Sequence, residues 1–357
     1  MGLSTLFYSR DGMGWCQEWQ LLESVRGIAC GIFKCMTTRF GKMLLVLPVG
    51  VVCCVLGVVP QRAIGAAHGG ATAKTANSGS MQDEAAWRAE RERGLSAPDG
   101  WLTLVGLEWL KPGRNTVGLA ADNSIRLKGH APEHLGVIEV DGSQLKLLAP
   151  QGGFSKYLFL DGQRAHDATL QPDDGSKPSM ISTENLSVVV LHRGDRFALR
   201  IKDAQSPTRT GFRGLHWYPA QAKYLVTAKW IPFVPAHTEK IPTVIGTTLD
   251  MPAPGLAEFT LDGKTVQIEP VLEDASSKEL FFILRDATSH TTTYESARFL
   301  YAEFPSNGLD KPGTITLDFN RLQNPPCAYT PYATCPLPPY INRLAIAIPA
   351  GEQRYSH

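Results

Sequence analysis

The stretch that decides the fold is residues 186–203, with the sequence LSVVVLHRGDRFALRIKD. Apolar residues fill positions 188–191, the triplet Arg-Gly-Asp follows at 193–195, and apolar and polar residues then alternate up to Ile201. A continuous apolar run is typical of a buried strand, and strict alternation is typical of a half-buried one. A glycine between two such runs favours a tight turn. The stretch therefore predicts a β-hairpin, and a turn explains the Arg-Gly-Asp triplet better than adhesion does.

Turn signals of the same kind recur on both sides of this hairpin. Asp141-Gly142, Asp161-Gly162 and Asp262-Gly263 each lie between apolar stretches, and this dipeptide is the strongest short-range hairpin signal. Further strand-like runs occupy residues 224–233, 256–272, 279–285, 298–304 and 314–320. Many short strands with regular turns predict an all-β fold, a β-sandwich or barrel-like arrangement that can divide into two β subdomains.

One short helix is predicted before the strands. Asp83 is a suitable N-cap, alanines follow it, and Gly94 can end the helix. The charges of residues 88–93 alternate in sign, which is typical of a solvent-exposed helix face.

Composition shifts along the chain predict five segments. In chain order they are an upstream extension or mis-assigned start at 1–35, a signal peptide or membrane anchor at 36–67, a small, polar linker at 68–82, an N-terminal β region at 83–204 and a C-terminal β region at 205–357.

The apolar run 43–60 is the basis for the membrane-directed segment. Arg39 and Lys42 precede it and small residues follow, which is typical of a secretory signal peptide. Its length is also near the ~20 residues of a membrane-spanning helix, so an uncleaved anchor and a buried core helix stay open. We expect translation to begin at Met36 and the protein to be exported, periplasmic or envelope-associated, with contact to the membrane only through this segment.

The cysteines support export. Of the seven in the chain, five lie upstream of residue 55, which leaves Cys327 and Cys335 in the mature protein. A single pair in an oxidising compartment predicts a disulfide. Zinc is the competing interpretation, but two cysteines without a local histidine provide too few ligands. We therefore expect no metal site and no cofactor.

Composition excludes several function classes. The formal net charge is +1, so the chain lacks the basic surface that nucleic-acid binding needs. The G-x-S-x-G and H-E-x-x-H motifs and a phosphate-binding glycine loop are all absent from the sequence. No catalytic residue can be assigned from a motif, and Asp286 and Asp318 remain as candidates for an acid or base.

A polar set in the C-terminal third is the first candidate site. Its members are Asp286, Asp318, Asn320, Arg285, Arg298 and Arg321. If the last strand runs through Asn320, its period of two places Asp318 and Asn320 on one face. The set could form a site for a polar or anionic ligand, or an Asp–Arg network that holds a loop in place.

A proline-rich loop at 324–339 is the second candidate. It contains six prolines, Tyr329, Tyr332 and the cysteine pair, so it is stiff. A stiff loop that presents tyrosines suits recognition, and a cover over one end of a β-barrel is the equal alternative. We include Asn324, at the start of the loop, and Tyr294 among the ligand-binding candidates.

Three stretches resemble a known family. They are GWLTLVGLEWLKPGRNTVG (100–118), FILRDATSHTTTYESARFL (282–300) and LDFNRLQNPPCAYTPYATCPLPPYINRL (317–344). They resemble the bacterial family of domain of unknown function 1684, with a likeness over about residues 84–355. The resemblance implies an exported or soluble β-rich protein and transfers no activity.

Three functions follow from these observations. The first is an exported cell-envelope β protein that binds a small polar or anionic ligand. The second is a hydrolase that uses Asp286 or Asp318 as acid or base. The third is a structural component of the envelope.

Overall fold

The computed structural model describes residues 71–174 and 177–356, with side chains described from residue 83 onward. The segments expected at 1–35 and 36–67, including the apolar run 43–60, lie outside the described residues. Within the described part of the chain, no helix is long and apolar enough to cross a membrane.

One long helix, α1 (Ala71–Ser96), precedes the sheets. It begins before Asp83 and ends after Gly94, so the predicted cap at Asp83 is wrong and the expected linker is helical from Ala71 onward. No proline interrupts residues 71–96, and the alanines at 71, 73 and 76 favour an extension of the helix. A second, single-turn helix is α2 (Pro207–Thr210), where the Ser206 hydroxyl accepts a hydrogen bond from the backbone N–H of Arg209.

The rest of the described chain is mostly strands and loops. In chain order the strands are β1 (Leu104–Trp109), β2 (Gly113–Gly118), β3 (Ile125–Arg126), β4 (Gly136–Asp141), β5 (Gln144–Leu148), β6 (Phe159–Leu160), β7 (Gln163–Arg164), β8 (Ala168–Thr169), β9 (Met180–Ser182), β10 (Leu186–Arg193), β11 (Arg196–Asp203), β12 (Leu225–Pro242), β13 (Thr248–Leu261), β14 (Lys264–Ile268), β15 (Glu279–Leu284), β16 (Arg298–Glu303) and β17 (Gly313–Asp318).

These strands form four sheets. Sheet 1 has the order β1-β11-β10-β9-β6-β7, sheet 2 β3-β2-β4-β5-β8, sheet 3 β14-β13-β12-β17 and sheet 4 β15-β16. Neighbouring strands are antiparallel except β2 and β3, which are parallel. The predicted all-β fold is confirmed.

The predicted turns set the register of the hairpins. Residues 186–203 form the hairpin β10–β11, in which Arg193 pairs with Arg196 across Gly194 at a φ of 64°. At Asp262-Gly263, between β13 and β14, both residues have positive φ, 48° and 76°. Glycine and aspartate tolerate this region, which gives the hairpin its tight connection.

Two apolar cores lie between pairs of sheets. Val117 and Ile138 of sheet 2 pack with Val188 and Leu199 of sheet 1. Sheets 3 and 4 enclose the second core, with large buried residues Trp230, Phe259, Phe282, Leu300 and Leu317. The boundary expected near residue 205 falls between these two pairs of sheets, and as a domain boundary it stays a prediction.

A third cluster covers the other face of sheet 4, so this small sheet is buried on both sides. Phe281 and Phe299 of sheet 4 pack there with Leu104 of β1 and with Ala333 and Cys335 of the proline-rich loop. The loop is therefore part of the packed body of the protein.

Candidate functional site

Asp286 and Arg298 form a buried ion pair at the ends of β15 and β16. Arg298 Nη1 lies 2.8 Å from Asp286 Oδ2, and neither side chain is exposed. The other carboxylate oxygen, Oδ1, accepts hydrogen bonds from the backbone N–H and the hydroxyl of Thr288 and from the N–H of Ile348. Both oxygens are thus occupied by protein donors.

The same arginine holds the C-terminal segment. Arg298 donates to the carbonyl oxygens of Ile348, at 2.9 Å, and of Ala350. The geometry favours the interpretation of this pair as a network that holds a segment in place, because a buried carboxylate with two occupied oxygens cannot reach a substrate.

Asp318, Asn320 and Arg321 form a separate group. The predicted common face of Asp318 and Asn320 on one strand is wrong, because β17 ends at Asp318 and a 3₁₀ turn, Phe319–Arg321, follows. Asp318 caps this turn by accepting the N–H of Asn320 at 3.1 Å. The Asn320 amide accepts from the N–H of Gln221 and donates to its carbonyl oxygen, at 2.9 and 3.1 Å. Within the described part of the chain, no hydrogen bond or ion pair joins these three residues to Asp286.

The two remaining arginines of the polar set have ordinary structural surroundings. Arg321 Nε lies 3.4 Å from Asp318 Oδ2 and 3.4 Å from Oε2 of Glu84 in α1. Arg285 pairs through its backbone, with its N–H donating to the Asn342 carbonyl oxygen at 3.1 Å.

Asn324 and Tyr329 surround a buried carboxylate, that of Glu352. Oε2 of Glu352 accepts from the N–H of Asn324 and from the Tyr329 hydroxyl, each at 2.7 Å, and Arg91 of α1 donates to Oε1 at 2.8 Å. Tyr329 is buried, so it is not presented to a ligand in solution. This favours the interpretation of the loop as a cover.

Cys327 and Cys335 do not form the predicted disulfide, and both are free thiols in the structure. The backbone N–H of Cys327 donates to Sγ of Cys335 at 3.2 Å, so the two residues are neighbours and one sulfur serves as an acceptor. Interaction with Cys335 lowers the pKa of the Cys327 thiol, whereas burial raises the pKa of Cys335. The Tyr294 hydroxyl donates to the Cys327 carbonyl oxygen at 3.1 Å, and burial raises the pKa of this tyrosine.

The feature that sequence reasoning missed lies on the outer face of β11. Phe197, Leu199 and Ile201 face the core, so Arg200 and Lys202 lie on the opposite face of the strand. Both cations lie beside the ring of Trp101, with centroid distances of 5.5 Å from Arg200 Cζ and 5.6 Å from Lys202 Nζ. We call these three residues, Arg200, Lys202 and Trp101, the cationic cluster.

The cationic cluster has no carboxylate partner of its own. Among residues 83–174 and 177–356, no carboxylate lies within ion-pair distance of Arg200 or Lys202, and the buried Nε of Arg200 has no hydrogen-bond partner. Lys202 donates to the carbonyl oxygen of Asp99 at 2.5 Å. The nearby Arg193 is already paired with Asp173, at 2.7 and 2.8 Å.

The pKa values of both cations are lowered at this position. Burial and the charge of Arg193 lower the pKa of Arg200 from its ordinary value to about 10, with Asp173 opposing. Burial and the charge of Arg200 lower the pKa of Lys202 from 10.5 to about 8, with Asp99 opposing. Both side chains keep part of their surface exposed, so a dissolved anion can reach them.

Tyr332 and Cys335 connect this region to the proline-rich loop. Both belong to the apolar cluster that also contains Trp101, and Cys335 acts electrostatically on Arg200. Leu104 of β1 pairs with Lys202 of β11, which brings the segment containing Trp101 to the two cations. No local sequence signal predicts the pairing of β1 with β11, although Arg200 and Lys202 stand two residues apart in a predicted strand.

Among the described residues, one group could hold a metal ion. His237, Glu239 and Glu269 each offer one ligand atom, and these atoms lie within 4.8 Å of one another. This group was missed by sequence analysis, because Glu269 is distant from His237 and Glu239 in the chain and belongs to no metal-binding motif.

Comparisons with known proteins give a family and no activity. A family model described as a protein of unknown function (DUF1684) matches residues 210–353, which includes 282–300 and 317–344 but not 100–118. An uncharacterized protein of Haloarcula marismortui, solved by solution NMR, is 31% identical, with 42% of this chain and 83% of that chain covered and a TM-score of 0.36. None of the curated proteins matches the chain. The chain belongs to the family of proteins of unknown function DUF1684.

Proposed function

We propose that this protein is an exported, envelope-associated β protein that binds a small anionic ligand, a carboxylate or phosphate, at the cationic cluster. The observation that carries the proposal is the presence of two partly buried cations that have no carboxylate partner among the described residues. The location rests on the signal-like pattern of residues 36–67 in the sequence.

An anion at this position would relieve an unfavourable arrangement. Burial disfavours the charged form of both side chains, and the charges of Arg193 on Arg200 and of Arg200 on Lys202 add to the effect. A carboxylate or phosphate provides both negative charge and hydrogen-bond acceptors for the exposed part of these two cations. The uncompensated charge of the two cations therefore favours binding of an anion.

The rigidity of the surroundings favours a preformed site. Arg200 and Lys202 project from the middle and end of an eight-residue strand that is paired on both sides, with β1 and β10. Trp101 lies in a 3₁₀ turn directly before β1. Little conformational entropy is lost when a ligand binds to side chains on such a scaffold.

The structure offers less to the hydrolase hypothesis. Asp286 is buried with both oxygens occupied, and Asp318 caps a turn. An acid or base must come within hydrogen-bond reach of its substrate, and Asp286 does not meet this requirement.

Calorimetric titration of the full-length protein with citrate, succinate and inorganic phosphate tests the proposal. We expect saturable one-to-one binding of at least one of them, weakened by added salt and lost in Arg200→Gln. Arg196→Gln is the matched control, since Arg196 lies on the same face of β11 and stacks on a different tryptophan, Trp109, at 3.9 Å. Binding that is equal in both variants, or absent with all three anions, would contradict the proposal and favour a structural role.

A further inference from the structure

A second group of polar side chains, distant from the proposed anion site in sequence, has the composition of a metal centre. His237 and Glu239 are two residues apart on β12 and share one face of the strand. Glu269 directly follows β14. Nε2 of His237 lies 3.0 Å from Oε1 of Glu269 and 3.5 Å from Oε2 of Glu239.

Glu269 is the member of the group whose surroundings most favour binding of a ligand. It is only 8% exposed, and within the described residues no hydrogen bond is aligned on its Oε1. Oε1 lies 3.0 Å from Nε2 of His237, its ion-pair partner. A buried carboxylate oxygen without an aligned hydrogen bond is unfavourable, and burial raises the pKa of Glu269, with His237 opposing.

The backbone of Glu269 fixes this orientation. Its N–H donates to Oδ1 of Asn342, and Nδ2 of Asn342 donates to its carbonyl oxygen, both at 2.8 Å. Asn342 is itself fully buried and also donates to the carbonyl oxygen of Ile283. Hydrogen bonds to the buried Asn342 therefore hold the backbone of Glu269 in place, and with it the carboxylate at the cluster.

The separations suit a small divalent cation. Zinc binds imidazole nitrogen and carboxylate oxygen at about 2.0–2.2 Å, which in tetrahedral geometry separates two ligand atoms by about 3.3 Å. The distances of 3.0 and 3.5 Å from His237 Nε2 agree with that value. Three protein ligands leave a fourth position, and the side chains of His237 and Glu239 are 44% and 31% exposed, so this position faces solvent.

We propose that His237, Glu239 and Glu269 form a divalent transition-metal site, with Zn²⁺ as the best fit, in which three protein ligands leave one position open to water or a small molecule. The cation compensates the two carboxylates that the imidazole alone would have to balance. An ion pair between protonated His237 and Glu269 is the alternative arrangement of the same residues.

Titration of the metal-free, full-length protein with Co²⁺ tests this proposal by a signal other than activity. We expect one Co²⁺ per chain with the visible absorption of a four-coordinate site, displaced by Zn²⁺, and loss of this signal in both His237→Gln and Glu269→Gln. His166→Gln is the control, because His166 is exposed and its Nδ1 lies 3.1 Å from the carbonyl oxygen of Arg164, outside the proposed metal group. Circular dichroism of each variant separates loss of metal binding from loss of the fold.

Two results would overturn the inference. A Co²⁺ signal that survives in His237→Gln places the metal elsewhere, for example at cysteines, whose thiolate absorption identifies them. Absence of binding in the wild-type protein leaves the ion pair as the role of these residues.

Discussion

Replacement of Arg200 by methionine should make the protein more stable while it removes anion binding. The change keeps an unbranched apolar stem against Trp101 and deletes a buried guanidinium whose Nε has no partner. Most substitutions of buried residues destabilise a protein. An increase in the free energy of unfolding is therefore a specific consequence of the uncompensated charge.

The size of the effect follows from the pKa of Arg200, which burial lowers by between two and three units, to about 10. Each pKa unit corresponds to about 1.4 kcal/mol, so keeping this guanidinium charged in the folded state costs on the order of 3 kcal/mol. Loss of the cation–π contact with Trp101 offsets roughly 1 kcal/mol of that amount. We expect a net increase of about 1–2 kcal/mol in the free energy of unfolding, or about 2–6 °C in the melting temperature.

Urea unfolding followed by circular dichroism at pH 7, without added anions, measures this difference. Arg193→Met is the matched comparison, because Arg193 is paired with Asp173 and its removal leaves that carboxylate without its partner. We expect Arg193→Met to lose stability. A loss of more than about 1 kcal/mol in Arg200→Met would refute the reasoning, since it would mean that the guanidinium has a stabilising partner.

Three further predictions concern stability. Asp286→Ala should lower the free energy of unfolding in urea by about 3–5 kcal/mol, because it leaves the buried charge of Arg298 without its partner. Asp250→Ala, which removes a 58% exposed side chain from its ion pair, should cost less than about 1 kcal/mol, and equal effects of the two changes would contradict the buried network. Burial raises the pKa of Glu273 from 4.5 to about 8, so between these pH values the folded state keeps a proton that the unfolded chain has released. The free energy of unfolding should therefore fall as pH rises from about 4.5 to about 8, and a Glu273→Gln variant that retains this fall would count against the assignment. Tyr329→Phe should cost about 1–3 kcal/mol by removing a donor from buried Glu352, and an unchanged denaturation midpoint would show that this hydrogen bond contributes nothing.

The sequence predicted the local part of the fold well. The Asp-Gly dipeptides and the alternation in residues 186–203 are signals that act within a few residues, and the hairpins at 161–162, 193–195 and 262–263 form where they predict. The extent of α1 was underestimated, because a cap signal at Asp83 does not stop a helix that can begin earlier.

The candidate site was harder to predict, since it depends on which faces meet. Asp286 and Arg298 were expected near each other and are paired, but their burial follows from the packing of residues 348–350, which no local pattern records. Tyr329 was predicted either to be presented for recognition or to belong to a cover, and it is buried against α1 and Leu102. The alternation predicted a half-buried strand with Arg200 and Lys202 among its polar residues, and only the pairing of β1 with β11 brings Trp101 beside them.

The most direct measurement of the uncompensated positive charge is the titration of Lys202 by NMR, with carbon-13 in the lysine side chains and Lys202→Arg to assign the signal. The account predicts a pKa of about 8 in the free protein, well below 10.5, and a rise when the binding anion is added at saturation. A signal that titrates at the ordinary lysine value, or that does not respond to any of the anions, would contradict it.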